Sequence, residues 1–146
     1  MPDARETEAF LHRQIPLSRA MEVAVEERDD AVFVLTAPLA ANRNHLGTAF
    51  GGSLAAIATL AGYGMLWQRL ADPDAHLVIK TSSIRYLHPV RGDIRAICQA
   101  PEAEKLAEFL ATFSRKGKAR LRLDVAIVED GRDCVVFCGE FVALRS

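Results

Sequence analysis

The sequence shows almost no excess charge of either sign. Its 146 residues carry 18 Lys and Arg against 19 Asp and Glu, which gives a net charge of −1 at pH 7. Domains that bind nucleic acid usually carry a basic surface, so we expect no nucleic-acid partner. Half of the residues are hydrophobic and a quarter are charged, a balance that excludes a disordered chain. The length predicts a single domain over residues 1–146.

Cysteine motifs and long apolar runs are also absent. The three cysteines, Cys98, Cys134 and Cys138, form no CxxC pair, so we expect buried, reduced thiols, no metal site and a cytoplasmic location. The N-terminus lacks the basic and apolar segments of a secretion signal. The most apolar stretch, Leu54–Trp67, falls short of the about 18 apolar residues that a transmembrane helix needs. We therefore expect no membrane partner.

Several common catalytic signatures are missing too. The sequence contains no GxSxG nucleophile elbow, no P-loop, no dinucleotide-binding glycine fingerprint and no HExxH zinc motif. These absences exclude the enzyme classes that depend on those motifs, and we expect no cofactor.

The hydrophobic pattern predicts many strands joined by short turns and only a few helices. The cleanest alternation runs from Ala119 to Ile127, and Asp130–Gly131 is typical of a hairpin turn that leads into a strand at Val135–Phe141. The other expected elements are a helix from Asp3 to Gln14, strands at about 20–28 and 31–38 joined by a turn at Glu27–Asp30, a strand at Ile94–Cys98 and a helix at Pro101–Lys116. This content predicts an α+β fold with an antiparallel sheet around one central helix.

The central helix is expected to begin at Gly52 or Ser53 and to end at Leu70. Its apolar residues cover almost every face, which is typical of a buried helix. On it, Tyr63 and Trp67 are expected to belong to the core. The strand that follows, Leu77–Leu87, changes the phase of its alternation, which predicts a β-bulge near residues 81–83.

A polar segment without clear periodicity, Ala40–Phe50, precedes the central helix and is expected to be a loop. A helix N-terminus presents unpaired backbone N–H groups and a partial positive charge. Gly51 and Gly52 would let a ligand approach those groups closely, and a developing oxyanion would be stabilised there. The same glycines could instead serve packing alone.

Residues 44–52, NHLGTAFGG, resemble the N-x-x-G-x-x-H-G-G signature of hotdog-fold acyl-CoA thioesterases of the phenylacetyl-CoA type. The similarity is greater to the thioesterase domain that follows a GNAT-type acetyltransferase in some bacteria. That domain carries Phe in place of the signature His, here Phe50, and Gly-Ser after it, here Gly52–Ser53. It also carries phrases similar to Leu60–Gly64 and Ile84–Pro89. The resemblance covers residues 20–145.

The resemblance implies a hotdog fold, in which an antiparallel sheet wraps around a long central helix, and a thioester hydrolase activity. It implies a homodimer or a dimer of dimers, with an acyl-CoA or acyl-carrier-protein thioester bound at the dimer interface. Asn44 would orient the thioester or its water, and Gly51 or Gly52 would supply the N–H that binds the oxyanion.

Thr59 departs from the family pattern, because the family's general base, Asp or Glu, occupies this position. A Thr hydroxyl cannot act as a base near neutral pH without an activating partner, and no acidic residue lies between Ser53 and Leu70. His45 is the candidate substitute, because imidazole groups titrate near neutral pH, although it could instead make a local hydrogen bond. Thr59 could hold a water or be a structural helix hydroxyl. The alternative functions are a non-catalytic domain that binds acyl-CoA or acyl-carrier protein, and a purely structural dimerisation domain.

Other residues near these positions are candidates for substrate binding. They are Thr48, Phe50, Ser53, Thr81, Ser82, Ser83, Arg85 and His88. The resemblance places the hydroxyl residues at 81–83 on an edge strand that pairs with its counterpart in a dimer. They could face the partner's site or form a polar edge that resists aggregation. The cationic residues at 85 and 88 could meet the phosphates of coenzyme A or phosphopantetheine, or form a solvated rim.

Overall fold

A six-stranded antiparallel sheet and five helices make up the part of the chain that the structure describes. The structure is a computed structural model and describes residues 1–26 and 29–146. The elements are α1 (Ala4–Gln14), α2 (Pro16–Ala20), β1 (Ala24–Glu26), β2 (Val32–Ala37), α3 (Leu39–Asn42), α4 (Gly51–Leu70), β3 (Ala75–Tyr86), β4 (Ile94–Gln99), α5 (Ala103–Lys116), β5 (Lys118–Glu129) and β6 (Arg132–Arg145). The order across the sheet is β1-β2-β4-β5-β6-β3, and α4 packs against strands β2 to β6. The predicted α+β class, with a sheet around one central helix, is confirmed.

The N-terminal segment follows the prediction only as far as its first helix. The side chain of Asp3 accepts a hydrogen bond of 2.8 Å from the backbone N–H of Glu6, and α1 ends at Gln14. The predicted strand at 20–28 is wrong over 20–23, because Pro16 starts a second helix, α2, and a turn follows it. Residues 27 and 28, where the expected strand and the Glu27–Asp30 turn overlap, lie outside the described residues.

Helix α4 packs so tightly against the sheet that a side chain at either of two glycine positions would overlap an aromatic ring. A Cβ atom at Gly62 would lie 2.4 Å from the ring of Phe141, and one at Gly64 would lie 2.6 Å from the ring of Phe33. Glycine inside a helix costs about 1 kcal/mol relative to alanine. Here that cost is offset because two aromatic rings of the sheet rest directly on the helix backbone.

The hairpin between β5 and β6 forms at the predicted turn. Asp130 and Gly131 both have positive φ angles, 54° and 76°, as a type I′ turn requires. Helix α5 starts at Ala103, two residues after the predicted start at Pro101, and Gly117 ends it with φ 70°. The turn fixes the register of β5 against β6.

Strand β3 lies at one end of the strand order and pairs, among the described strands, with β6 alone. Its register shifts between Ile79 and Thr81, so the bulge lies just before the predicted position. Large apolar side chains on this edge, including Val78 and Tyr86, are exposed. An edge strand with exposed apolar residues is a surface suited to pairing with another strand.

The thiols are free, and two of the three lie in the core. Cys98 and Cys134 are buried as predicted, whereas Cys138 is partly exposed and accepts a hydrogen bond of 3.2 Å from Arg122. Burial raises the pKa of the Cys98 thiol to about 12, so this group stays protonated at neutral pH. In residues 1–26 and 29–146, no helix is both long and apolar enough to cross a membrane.

Candidate active site

The segment before α4 is anchored at both ends rather than being a free loop. Asn42 is 3% exposed, and its Nδ2 donates hydrogen bonds of 2.9 Å to the backbone oxygens of Met21 and Pro38. Its own carbonyl accepts from the N–H of Phe50 at 2.8 Å. The expectation of a loop over Ala40–Phe50 is therefore wrong in part, because α3 and an antiparallel bridge between residues 43 and 49 order the segment. Asn42 holds the approach to α4, and sequence reasoning missed it.

Asn44 organises the turn that follows. Its Oδ1 accepts hydrogen bonds from the backbone N–H groups of Leu46 (2.8 Å) and Thr48 (3.2 Å). Its Nδ2 donates to the hydroxyl of Thr48 at 2.9 Å, and Gly47 takes a positive φ of 80° within the turn. A side-chain amide carries two N–H bonds, so the second N–H of Asn44 is the group that could reach a substrate.

The first turn of α4 presents backbone N–H groups that no side chain caps. Phe50 is the N-cap residue and makes no side-chain hydrogen bond there. The first intrahelical bond runs from the N–H of Leu54 to the carbonyl of Phe50, so the N–H groups of Gly51, Gly52 and Ser53 belong to the unpaired set at the helix start. Together they form a donor cluster with the partial positive charge of the helix dipole.

Two aromatic side chains border this donor cluster. The ring of Phe50 lies over Gly52 so closely that a Cβ atom there would be 2.4 Å from Cε2. The ring of Tyr86, at the end of β3, would lie 3.8 Å from a Cβ atom at Gly51, and its hydroxyl is 3.5 Å from the Gly51 carbonyl oxygen. Both rings are exposed. Tyr86 was not a predicted site residue, although it belongs to the phrase Ile84–Pro89 that carries the resemblance.

Thr59 lies two turns further along α4 and is half-buried. Its hydroxyl donates a hydrogen bond of 2.9 Å to the carbonyl oxygen of Ala55. Because its only proton is engaged, the oxygen can act toward a water only as an acceptor. Tyr63, one turn beyond, shares this face of the helix, and burial raises the pKa of its phenol.

The hydroxyl residues at the middle of β3 divide between the two faces of the sheet. Ser82 and Tyr86 pair with residues of β6 that face the core, so they point toward α4. Thr81, Ser83 and Arg85 point the other way, and the last two line a cavity of about 350 Å³ on the outer face. The sheet therefore separates Arg85 from α4 of the same chain.

The two candidate histidines lie on exposed connections. His45 lies on the turn that Asn44 organises, and its side chain is exposed. His88 follows β3, where its backbone N–H donates to the carbonyl oxygen of Cys134 at 3.1 Å, and its side chain is exposed too. No cluster of metal-ligating side chains occurs among the described residues.

A comparison with family models identifies the group to which this arrangement belongs. Residues 4–145 match the model of the family described as "Putative thioesterase (yiiD_Cterm)". The chain belongs to this family. The match spans nearly the whole sequence and includes the polar segment, the donor cluster and β3, which together form the candidate site.

Solved structures support the same assignment. A protein of unknown function from Chlorobaculum tepidum is 36% identical, with 98% of this chain and 94% of that chain covered and a TM-score of 0.92. A structure described as a "putative thioesterase" from Shewanella oneidensis is 31% identical, with 97% and 96% covered and a TM-score of 0.87. A mutant thioesterase from Pseudomonas aeruginosa shares the fold at 13% identity, with 100% and 96% covered and a TM-score of 0.78. These neighbours confirm the hotdog fold, and the family together with the Shewanella protein indicates thioesterase activity in general terms.

Proposed function

We propose that this family member is a homodimeric thioesterase that hydrolyses an acyl-CoA or acyl-carrier-protein thioester at the N-terminus of α4. The observation that carries the proposal is the uncapped first turn of α4, with Gly51 and Gly52 as its first two residues. Hydrolysis of a thioester passes through a tetrahedral oxyanion. N–H donors fixed before the reaction stabilise such an anion without the cost of reorganisation.

The proposed reaction uses one water and needs no metal or cofactor. The carbonyl oxygen of the thioester accepts hydrogen bonds from the N–H groups of Gly51 and Gly52, while Asn44 orients the acyl group. The oxygen of Thr59 accepts a hydrogen bond from the attacking water, because its own proton is held by Ala55. The water adds to the carbonyl carbon, and the carbon–sulfur bond breaks. The proton lost by the water passes through His45 to the departing thiolate.

The proposed dimer forms through β3. Two such edges paired about a twofold axis would cover both exposed rows of backbone groups. Phe50 and Tyr86, which are exposed in the single chain, would then be buried between the chains. Pairing would also bring the partner's Ser82 toward the site, because this side chain lies on the α4 face of the sheet, whereas residues 81, 83 and 85 stay on the opposite face.

The alternative proposal is a domain that binds acyl thioesters without hydrolysing them. It is favoured by the absence of an acidic residue on the described helix α4, and by the bond that engages the Thr59 proton. Assays with a panel of acyl-CoA and acyl-carrier-protein thioesters distinguish hydrolysis from binding alone. Release of free thiol supports hydrolysis, whereas thermal stabilisation by the same ligands without thiol release supports binding alone.

A proline at the first helical position tests the oxyanion site directly. Gly51→Pro removes one N–H, and proline is favoured at this position of a helix. Gly51→Ala is the matched control, because it keeps the N–H and its Cβ would meet Tyr86 at an ordinary 3.8 Å. Loss of one oxyanion donor typically lowers kcat by about 100–1000-fold. We expect that loss for Gly51→Pro alone, and equal rates in the two variants would remove Gly51 from the reaction.

A further inference from the structure

A large groove lies on the sheet face opposite α4, beside α5. Its volume is about 830 Å³. Because Phe141 packs on α4, its neighbour Val142 points to the opposite face. Val142 pairs with Val78 on one side and with Arg120 on the other, so the three side chains form a row across β3, β6 and β5. This row is part of the groove lining, and the sheet separates the groove from the donor cluster.

One face of α5 forms the wall of the groove. Residues 105, 108, 109, 112 and 116 recur at helical spacing and line the cavity together. Phe109 in this wall is only 3% exposed. The floor is apolar, because the sheet turns Val78, Val142 and Leu144 outward. Ala119 and Leu121 pair with residues that face α4, so they border the groove from β5. The apolar lining residues are Val78, Phe109, Ala119, Leu121, Val142 and Leu144.

The polar part of the lining is strongly biased toward positive charge. It holds five of the chain's 18 Lys and Arg residues but only one, Glu108, of its 19 Asp and Glu residues. The cationic residues are Lys80, Lys105, Lys116, Lys118 and Arg120. Lys80 lies 3.9 Å from Glu140, but both side chains are partly exposed and such surface pairs are weak. Lysine stems can rest on an apolar floor while their charged ends stay at the rim.

We propose that this groove binds an anionic amphiphile, that is, an aliphatic chain with a carboxylate or phosphate head group. The chain would lie on the apolar floor, and the head group would meet the cations at the rim. The volume falls within the about 300–1,000 Å³ typical of small-molecule pockets, which favours this ligand over an acidic protein segment. The site does not depend on hydrolysis at α4, because the sheet lies between the two.

Titration calorimetry with simple amphiphiles tests the site without any turnover. The ligands are decyl phosphate, decanoate, the uncharged decyl maltoside and inorganic phosphate, with each amphiphile kept below its micelle concentration. We expect both anionic amphiphiles to bind at least tenfold more tightly than decyl maltoside or inorganic phosphate. Tighter binding of decyl phosphate than of decanoate would assign alkyl phosphates, and the reverse order would assign free fatty acids. Equal binding of the uncharged amphiphile would overturn the proposal.

Matched variants locate the binding. Lys116→Glu reverses a charge at the groove, whereas Arg115→Glu makes the same change at the adjacent residue, which does not line it. Both lie in the last turn of α5, so any effect on the helix is shared. Thr112→Trp would fill the cavity instead. We expect Lys116→Glu and Thr112→Trp each to weaken decyl phosphate binding at least tenfold, with Arg115→Glu unchanged. Equal affinity of the three variants for decyl phosphate would refute this site. Binding of an acidic peptide by a protein that binds no amphiphile would refute it too. Thiol release, which reports hydrolysis at α4, is measured separately. The proposal of hydrolysis and the proposal of amphiphile binding can therefore each fail without the other.

Discussion

The two halves of α4 use the same residue type for different purposes. At its start, Gly51 and Gly52 lie in an uncapped turn bordered by exposed rings. In its second half, Gly62 and Gly64 are buried, and the rings of the sheet occupy the space that a side chain would need. The first pair leaves backbone donors accessible to a ligand. The second pair lets the sheet close onto the helix.

The two halves of α4 also differ in whether another helix covers them. The second half is covered by α1, where the ring of Phe10 stacks on Trp67 with centroids 4.1 Å apart and lies 6.3 Å from Tyr63. The helix ends at Leu70, and the backbone N–H of the C-cap residue, Ala71, donates a hydrogen bond to the carbonyl of Trp67. The N-terminal half has no such cover in the described chain. The helix is therefore fixed at one end and open at the other, which is the arrangement a reactive site needs.

The largest predicted effect is on activity at the open end. Asn44→Ala should lower kcat/KM by about 10–1000-fold, the range for loss of one positioned polar group, if its N–H orients the thioester. Asn44→Asp is the sharper variant, because a carboxylate keeps the acceptor bonds to Leu46 and Thr48 but has no N–H to donate. We expect thiol-release kinetics to show a similar loss in both variants. Parental activity in Asn44→Asp would show that Asn44 only shapes the turn.

The second predicted effect is on stability at the fixed end. Gly62→Ala should lower the free energy of unfolding by about 1–3 kcal/mol, because overpacking a tight interface forces side chains from their preferred positions, here the ring of Phe141. Gly51→Ala is the control, and its free energy of unfolding should stay within about 1 kcal/mol of the parent or rise slightly. Denaturant unfolding of both measures the contrast. Equal stabilities would mean that the two glycine pairs do not differ as proposed.

Much of the fold could be predicted because it rests on local periodicity. The all-round apolar pattern of α4, the alternation of β5 and the Asp130–Gly131 turn all appear in the sequence and in the structure. The short helices α2 and α3 could not be predicted in this way. At five and four residues they have little helical stability of their own, and α3 is tied to the chain by a hydrogen bond from Asn42 to a residue 21 positions away.

The candidate site was predictable only for residues that lie in one continuous segment of the sequence. The order of loop, glycine pair and helix predicted the start of α4 to within two residues, because the helix begins at Gly51 rather than at Gly52 or Ser53, whereas the roles of Asn44 and Gly51 stay predictions. The sequence predicts the change of face along β3, but the faces of residues 81–83 depend on the exact position of the bulge, which lies between Ile79 and Thr81. A shift of one residue moves every later side chain to the opposite face. The hydroxyl direction of Thr59 likewise depends on its rotamer rather than on the sequence.

The smallest predicted effect concerns Thr59, which lies between the two halves of α4. If its oxygen accepts a hydrogen bond from the attacking water, Thr59→Val should lower kcat by about 3–10-fold, the value of one neutral hydrogen bond, and leave KM unchanged. Stability should change little, because the carbonyl of Ala55 keeps its bond within the helix. Thr59→Ser should restore the rate, since it returns the hydroxyl. A purely structural hydroxyl would give the opposite pattern: Thr59→Val would match the parent in kcat and KM under steady-state thiol release, and the water would have to be held elsewhere.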